Sequence, residues 1–327
     1  MQGGFDVLTG DQSCDRMEML KAFDETKAGV KGLVDSRLLK IPKIFVRPSE
    51  ELAQELTHEN THKFQVPVID LSGVVQDADR RRQIVEEMRN ASETWGFFQV
   101  VNHGIPPSVL DRMIDGVRKF NEQDVEEKKK YYSWDKTRNV RFNSGFDLFT
   151  SRTANWKDTL TMSFSGPDPI DPQEMPPPCR DSTMEYSKHV EILGNTLLGL
   201  LSEALGLKTD HLKNMECAKG HNFHCHYYPA CLEPELAIGA AKHSDAGFFT
   251  ILLQNQIASG LQVLYRDQWI DINPIPEGLV VNIGDLLQLV SNGKFKSIKH
   301  RVIASHVGPR ISVACFFSGP VYEAKIY

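Results

Sequence analysis

The segment Lys242-His243-Ser244-Asp245-Ala246-Gly247-Phe248-Phe249-Thr250 decides how the carboxyl-terminal half of this 327-residue chain is interpreted. It is rich in apolar residues and bounded by turn formers, so it predicts a strand. Alternate residues of a strand share a face, and His243 and Asp245 are therefore expected to project together. A second predicted strand, Ser297–Ala304, carries His300. Two imidazoles and one carboxylate form the facial set that holds Fe(II) and leaves coordination positions open.

A second constellation, Arg310-Ile311-Ser312, follows this candidate metal centre. Arg310 and Ser312 occupy alternate positions of a predicted strand and should share a face. A planar guanidinium binds a carboxylate through two parallel hydrogen bonds, which a lysine cannot reproduce. We call Arg310 and Ser312 the candidate anion clamp. The turn signal Gly308-Pro309 separates their strand from that of His300, which predicts a hairpin that places the anion clamp beside the metal.

Other interpretations of these residues exist. Histidine and aspartate at this spacing often lie in loops or satisfy buried backbone groups, and a distal histidine is often a core residue. The segment His221–His226 with Cys231 also raises the possibility of zinc, but it alternates like a strand and lacks paired ligands around a turn. The order and strand context of both constellations together favour an iron site beside an anion clamp.

Four long helices are predicted from apolar residues that recur at helical spacing: Glu18–Val30, Asp79–Trp95, Pro107–Tyr132 and Ser182–Leu207. In the last, Ser182 and Glu185 have the spacing of a capping box. The stretch 135–165 is predicted to be irregular, and 167–178 to be a proline-rich loop between the two halves.

The second half of the chain shows short apolar runs separated by turn signals. They predict strands at 222–229, 249–253, 261–265, 268–272, 279–283, 286–290, 298–304 and 310–317. Many short strands after a helical half predict a mainly β fold, a barrel or double-sheet roll braced by helices. We expect an N-terminal helix and extended segment over 1–65, a helical region over 66–178, and a helix with the catalytic β core over 179–327.

Composition narrows the classes of partner. Hydrophobic residues make up 41% and charged residues 24%, and the net charge is −6, which gives no reason to expect nucleic acid or a membrane surface. No apolar run approaches the roughly 20 residues of a membrane helix, and the N-terminus lacks a signal-peptide pattern. Six dispersed cysteines predict free thiols. We expect a cytoplasmic monomer that acts on a small molecule.

The chain resembles the plant Fe(II)/2-oxoglutarate-dependent dioxygenases over most of its length. The motifs that carry this resemblance are Trp95–Gly104, His226-Tyr227-Tyr228-Pro229, His243-Ser244-Asp245, Gly278–Asp285, His300-Arg301-Val302 and Arg310-Ile311-Ser312. Two further segments, Lys21–Gly32 and Ala154–Thr159, resemble the subgroup of desacetoxyvindoline 4-hydroxylase and the 1-aminocyclopropane-1-carboxylate oxidase homologues.

The resemblance implies a distorted double-stranded β-helix, or jelly roll, with iron at its open end. It implies that Arg310, Ser312 and Tyr228 hold 2-oxoglutarate, and that O2 and a small specialised metabolite react there to give an oxidised, most simply hydroxylated, product with succinate and CO2. Ascorbate is an expected reductant. The candidate substrate contacts are His224, Phe316, Ser318, Phe146 and Trp156.

Two alternatives remain at this point. A true 1-aminocyclopropane-1-carboxylate oxidase would share the iron ligands but use ascorbate in place of 2-oxoglutarate, and a non-catalytic relic would keep the metal for partner binding. The chain also ends at Tyr327, soon after Ser312, so we expect the catalytic core to be short at its C-terminus relative to the subgroup and its active site to be incompletely covered.

Overall fold

The structure is a computed structural model that describes residues 16–55, 64–145, 147–165, 170–217, 219–256 and 260–319. Its strands are β1 Val68–Asp70, β2 Phe97–Val101, β3 Val140–Asn143, β4 Asp158–Ser163, β5 Gly220–Tyr228, β6 Ile238–His243, β7 Phe249–Gln254, β8 Leu261–Tyr265, β9 Gln268–Asp271, β10 Leu279–Ile283, β11 His300–Ile303 and β12 Arg310–Ser318. The α-helices are α1 Arg16–Thr26, α2 Gly29–Asp35, α3 Ser49–Glu55, α4 Ala78–Thr94, α5 Pro107–Glu122, α6 Val125–Lys129, α7 Arg180–Ala204, α8 His211–Asn214 and α9 Asp285–Val290.

The strands form two sheets. The larger has the order β1-β2-β10-β7-β12-β5-β4-β3 and the smaller has the order β6-β11-β8-β9. Only β1 and β2 pair in parallel among the strand pairs that the structure describes. Side chains of both sheets meet in one apolar cluster that includes Phe97, Val280, Val263 and Val302. This is the mainly β, double-sheet roll that the sequence predicts.

Helices cover the outer face of the larger sheet. Residues such as Leu253 and Val313 point outward from β7 and β12 and join the main core with residues of α4, α5 and α7. The other face of these strands therefore remains available for the space between the sheets. No helix among the described residues is long and apolar enough to cross a membrane. The five cysteines in this part of the chain are buried free thiols, as predicted, and Cys14 lies outside it.

Asp158 fastens the N-terminal helices to the larger sheet. Its buried carboxylate accepts hydrogen bonds from the backbone amides of Val30 and Lys31, each at 2.8 Å, and from the Ser144 hydroxyl at 2.8 Å. A Cβ at Gly29 would lie 2.4 Å from the carboxylate, and Gly29 has a φ of +73°, so glycine is needed there for two reasons. The start of α2 is thus capped by a residue far away in sequence.

Three predicted helices differ from the observed ones. The helix Glu18–Val30 is two helices, α1 and α2, because Lys27 adopts a φ of +50° and breaks the run. The helix Pro107–Tyr132 also divides, since Asp124 caps a separate α6. Helix α7 begins at Arg180 with Cys179 as its N-cap, so the predicted capping box at Ser182 and Glu185 is wrong.

Four predictions about the strands and their connections are also wrong. The stretch 135–165 contains β3 and β4, whose buried polar residues obscured the pattern. Residues 286–290 belong to helix α9, where Leu287 alone is buried. Lys242–Thr250 is not one strand, because the chain leaves the smaller sheet after His243 and enters the larger sheet at Phe249. The predicted hairpin at Gly308-Pro309 is absent, because β11 and β12 lie in different sheets.

We predict that Asp158→Ala lowers the free energy of unfolding by on the order of 3 kcal/mol, because it leaves buried donors without an acceptor. Chemical denaturation followed by circular dichroism measures this loss. The matched control is Asp35→Ala, which removes an exposed carboxylate that pairs with Lys31 on the same helix and should cost less than about 1 kcal/mol. Equal losses in the two variants would contradict the fastening role of Asp158.

Candidate metal centre

Three side chains, two of them close in sequence and the third more than fifty residues further on, converge at one end of the space between the sheets. His243 ends β6 and His300 begins β11, and the two are directly opposite in the antiparallel pair. Asp245 lies in the segment that crosses to β7, with its Oδ1 3.7 Å from His243 Nε2 and 3.5 Å from His300 Nε2. The three ligand atoms lie within 4.8 Å of one another, and no other such cluster exists among the described residues.

Backbone carbonyls fix the orientation of both imidazoles. His243 Nδ1 lies 2.7 Å from the carbonyl oxygen of Ala241, and His300 Nδ1 lies 3.2 Å from that of Ile298. A ring nitrogen beside a carbonyl carries the proton, which leaves each Nε2 with a free lone pair. Partial burial, together with the neighbouring His300, lowers the pKa of His243 to about 4, so its ring is neutral at physiological pH. In both rings Nε2 is therefore the nitrogen that faces a metal.

Asp245 is held by the oxygen that faces away from the histidines. Its Oδ2 accepts hydrogen bonds from the Thr250 hydroxyl at 2.6 Å and from the Asn282 amide at 2.7 Å. Burial raises the pKa of the Asp245 carboxyl, but His300, Thr250 and Asn282 outweigh it, and the net pKa lies well below its usual value. The residue is thus ionised, and Oδ1 is directed at the two imidazoles.

This arrangement fits a divalent metal ion. Two imidazole lone pairs and a carboxylate oxygen face one another at 3.5–3.7 Å, and such acceptors repel unless a cation lies among them. Two nitrogens and one oxygen in a facial set are the donors typical of non-haem iron(II). The Phe97 ring contacts His300 edge-on at 5.1 Å between ring centroids and closes one side of the site.

Arg310 is a candidate anion-binding residue in the wall of the same cavity. It is 5% exposed, and its guanidinium donates hydrogen bonds to Ser312 Oγ at 3.3 Å and to Gln254 Oε1 at 2.9 Å. The guanidinium lies over the Tyr228 ring, 5.0 Å from its centroid. Burial lowers the pKa of Arg310, which Tyr228 partly offsets. No carboxylate pairs with Arg310 among the described residues. The buried positive charge of its guanidinium is therefore available to a bound anion.

A cavity joins the candidate metal centre to the candidate anion site. The residues predicted as iron ligands and co-substrate contacts all line it, and so does Phe316 of the predicted substrate contacts. The residues with a predicted role that line the cavity are His243, Asp245, His300, Arg310, Ser312, Tyr228 and Phe316. Its apolar walls include Leu252, Leu261 and Val302.

Three of the other predicted substrate contacts are not among the residues that line this cavity. His224 is not among the residues that line the cavity, and its ring packs against the Phe316 ring at 4.8 Å between centroids. Ser318 is at the far end of β12, opposite Gly220. Trp156 is buried in the N-terminal core, where its Nε1 donates to the carbonyl of Pro229. Phe146 and the C-terminal residues 320–327 lie outside the described residues.

Sequence reasoning missed several polar residues of the site. Thr250 and Asn282 orient Asp245, Gln254 orients Arg310, and Lys157 lines the cavity. The alternation of β7 offered a signal for two of them, since Thr250 and Gln254 share its inward face with Leu252. Asn282 and Lys157 gave no comparable signal, because their partners and neighbours come from distant strands.

Family models match both halves of the chain. Residues 219–319 match the 2OG-Fe(II) oxygenase superfamily, and residues 66–180 match the N-terminal region of non-haem dioxygenases in morphine synthesis. The 1-aminocyclopropane-1-carboxylate oxidase homolog 1 of Arabidopsis thaliana is 53% identical over 93% of this chain and 82% of its own length. Deacetoxyvindoline 4-hydroxylase of Catharanthus roseus is 52% identical over 93% of this chain and 75% of its own length.

Solved structures give the same result. A crystal structure of JOX2 in complex with 2OG, Fe and JA is similar over 89% of this chain and 83% of that one, with a TM-score of 0.77 and 32% identity. The 2-oxoglutarate complex of dioxygenase for auxin oxidation 1 from Arabidopsis thaliana is similar over 79% of this chain and 94% of that one, with a TM-score of 0.65 and 26% identity. The chain therefore belongs to the 2OG-Fe(II) oxygenase superfamily, as an oxidoreductase with the double-stranded β-helix core and the iron and 2-oxoglutarate dependence of that family.

Proposed function

We propose that this protein hydroxylates a small plant specialised metabolite, with conversion of 2-oxoglutarate and O2 to succinate and CO2. In this proposal His243, Asp245 and His300 hold iron(II), while Arg310, Ser312 and Tyr228 hold the distal carboxylate of 2-oxoglutarate. When bound, iron(II) with 2-oxoglutarate supplies the oxidation of an unactivated C–H bond by O2. The expectations of a cytoplasmic monomer and of ascorbate as reductant stay predictions.

The observation that carries this proposal is the buried Arg310 guanidinium without a carboxylate partner in the described part of the chain. Its fork already donates to Ser312 and Gln254, which fix its plane and leave other donors for a bidentate anion. It shares the cavity with the three candidate metal ligands. A co-substrate with a keto acid at one end and a carboxylate at the other matches the two ends of that cavity.

The protein's own residues orient the candidate metal ligands and exclude water from the cavity. The carbonyls of Ala241 and Ile298 hold the imidazole protons on Nδ1, and Asn282 with Thr250 holds the Asp245 carboxylate. Apolar walls keep bulk water away from the reacting atoms. This suppresses turnover that consumes 2-oxoglutarate without oxidising the substrate.

The proposal is tested by incubating the purified protein with Fe(II), 2-oxoglutarate, O2 and a plant metabolite extract. We expect succinate to form in step with a product that has gained one oxygen atom, both measured by mass spectrometry. Asp245→Ala should release no succinate, because two ligands do not retain iron in the facial geometry. Turnover that requires ascorbate but leaves 2-oxoglutarate unchanged would instead indicate oxidase chemistry of the 1-aminocyclopropane-1-carboxylate type.

Arg310→Lys should raise the apparent KM for 2-oxoglutarate by about ten-fold or more. The lysine keeps the positive charge but lacks the two parallel N–H donors of a guanidinium. A hydrogen bond to a charged group contributes about 1.5–3 kcal/mol to the free energy of binding. Steady-state kinetics with 2-oxoglutarate varied provides the measurement. Arg301→Lys is the matched control, because Arg301 is also buried but its guanidinium contacts the Trp269 ring and Gln262. An unchanged KM in Arg310→Lys removes Arg310 from the clamp.

Asn282→Leu should weaken iron(II) binding by roughly 10- to 100-fold without removing a ligand. The leucine is close in size but leaves Asp245 Oδ2 with the Thr250 hydroxyl as its sole described donor. Competition for Fe(II) with a colorimetric chelator measures the affinity. Asn255→Leu serves as a control, since Asn255 donates to the carbonyl of Pro309 away from the metal centre. Equal iron affinity in wild type and Asn282→Leu would show that Thr250 alone orients the carboxylate.

A further inference from the structure

Lys157 is a buried lysine in the wall of the metal-centre cavity. It directly precedes β4, it is 6% exposed, and it lines the same cavity as the three candidate iron ligands. Its Nζ makes no hydrogen bond or ion pair with any residue that the structure describes. Removing an ammonium group from water without a partner is costly, and buried charges are normally paired. We therefore look for the negatively charged partner of Lys157 among the molecules that bind in the cavity.

The strand geometry explains why Lys157 points inward. The next residue, Asp158, points away from the cavity and holds the amides of Val30 and Lys31. Thr159 points inward again, where its hydroxyl lies 3.0 Å from His226 Nδ1. Lys157 and Thr159 thus share the cavity face by strand alternation. Because Asp158 is fixed by the N-terminal helices, the direction of Lys157 is fixed as well.

Among the residues that the structure describes, no group around Lys157 neutralises its charge. The imidazoles of His224, His226 and His243 lie near its charge. An imidazole carries no negative charge in either protonation state, so none of the three can neutralise the ammonium group. Asp245 is the sole carboxylate among the described cavity residues, and Thr250, Asn282 and the metal centre already engage it.

The charges of a loaded site leave Lys157 unmatched. The proposed iron(II) and the doubly ionised 2-oxoglutarate cancel each other, and Arg310 cancels Asp245. The Lys157 ammonium then remains as an uncompensated positive charge in the cavity that the structure describes. A second anion, distinct from the co-substrate, would restore neutrality.

We propose that Lys157 binds a carboxylate of the molecule that is oxidised, so that the enzyme acts on an acidic substrate. This inference rests on the proposed function and adds the chemical class of the substrate to it. The carboxylate would hold the substrate by one end in the cavity, which positions a C–H bond elsewhere on the molecule toward the metal centre. The remaining source of a carboxylate is 2-oxoglutarate itself, and the experiment separates the two.

The test measures binding rather than turnover. Wild type, Lys157→Met and Lys157→Arg are loaded with redox-inactive Mn(II), and isothermal titration calorimetry is carried out with 2-oxoglutarate. Phenylacetate, cinnamate and decanoate, each against its own methyl ester, are then titrated with and without 2-oxoglutarate. For wild type we expect at least one acid to bind about 10- to 100-fold more tightly than its ester. Lys157→Met should abolish this preference, and Lys157→Arg should retain it.

The matched control is Lys128→Met. Lys128 is equally buried, but its Nζ donates to the carbonyl oxygen of Asn121 and lies outside the cavity. Lys128→Met should lower the melting temperature and leave the preference for acids unchanged. Lys157→Met should leave the melting temperature of the ligand-free protein equal or higher, because it removes an unpaired buried charge. A fall of several degrees in Lys157→Met would indicate a structural role and overturn the proposal.

Three binding results also overturn it. These are wild type without a preference for any acid, a preference that survives Lys157→Met, and an affinity for 2-oxoglutarate that falls in Lys157→Met as much as that for the acids. The last result would assign Lys157 to the co-substrate. Failure of wild type to bind 2-oxoglutarate would refute the proposed function instead, and the titrations without 2-oxoglutarate would still decide whether Lys157 selects acids.

Discussion

The Asp245 carboxylate is the contact on which the site depends, because it joins the two sheets at the mouth of the cavity. One of its oxygens accepts from Thr250 of β7 and Asn282 of β10 in the larger sheet, and the other faces His300 of β11 in the smaller sheet. The three ligand atoms converge only when both sheets are packed at the correct distance. A cation bound there would in turn stabilise that packing, since metal-binding free energy adds to folding free energy.

A second constraint is that the cavity encloses charge within apolar walls. Arg310 is buried between Gln254 and the Tyr228 ring, and Leu252 and Leu261 line the space beside it. Coulomb interactions are stronger where water is excluded, so an anion that reaches this guanidinium is held firmly and in one orientation. The same walls make any unmatched charge expensive, which is why the charge count of the cavity constrains the ligands it accepts.

The sequence predicted that His243, Asp245 and His300 converge and that the fold is a double-sheet roll, but part of the reasoning was wrong. His243 and Asp245 do not share a strand face, because the chain crosses between sheets at Gly247, where a Cβ would lie 2.7 Å from the carbonyl oxygen of Phe317. Apolar runs such as 286–290 do not distinguish a short helix from a strand. The donors to Asp245, which are Thr250 and Asn282, and the Gln254 oxygen that accepts from Arg310 lie on other strands, so local sequence did not reveal these pairings. Long-range packing fixes the positions of these side chains, and the local periodicity of the sequence does not predict them.

Strand β4 links the stability of the N-terminal segment to the chemistry of the cavity. Asp158 uses its outward position to cap α2, which packs with Phe23 and Trp156 in a separate apolar core. Lys157 occupies the neighbouring inward position and presents its charge to the cavity. Because these two side chains are adjacent in the chain, a shift of the N-terminal core that moves Asp158 would also move Lys157. Under the role proposed for Lys157, substrate selection can therefore change through the N-terminal segment, while the candidate iron ligands on β6, β11 and the segment before β7 stay in place.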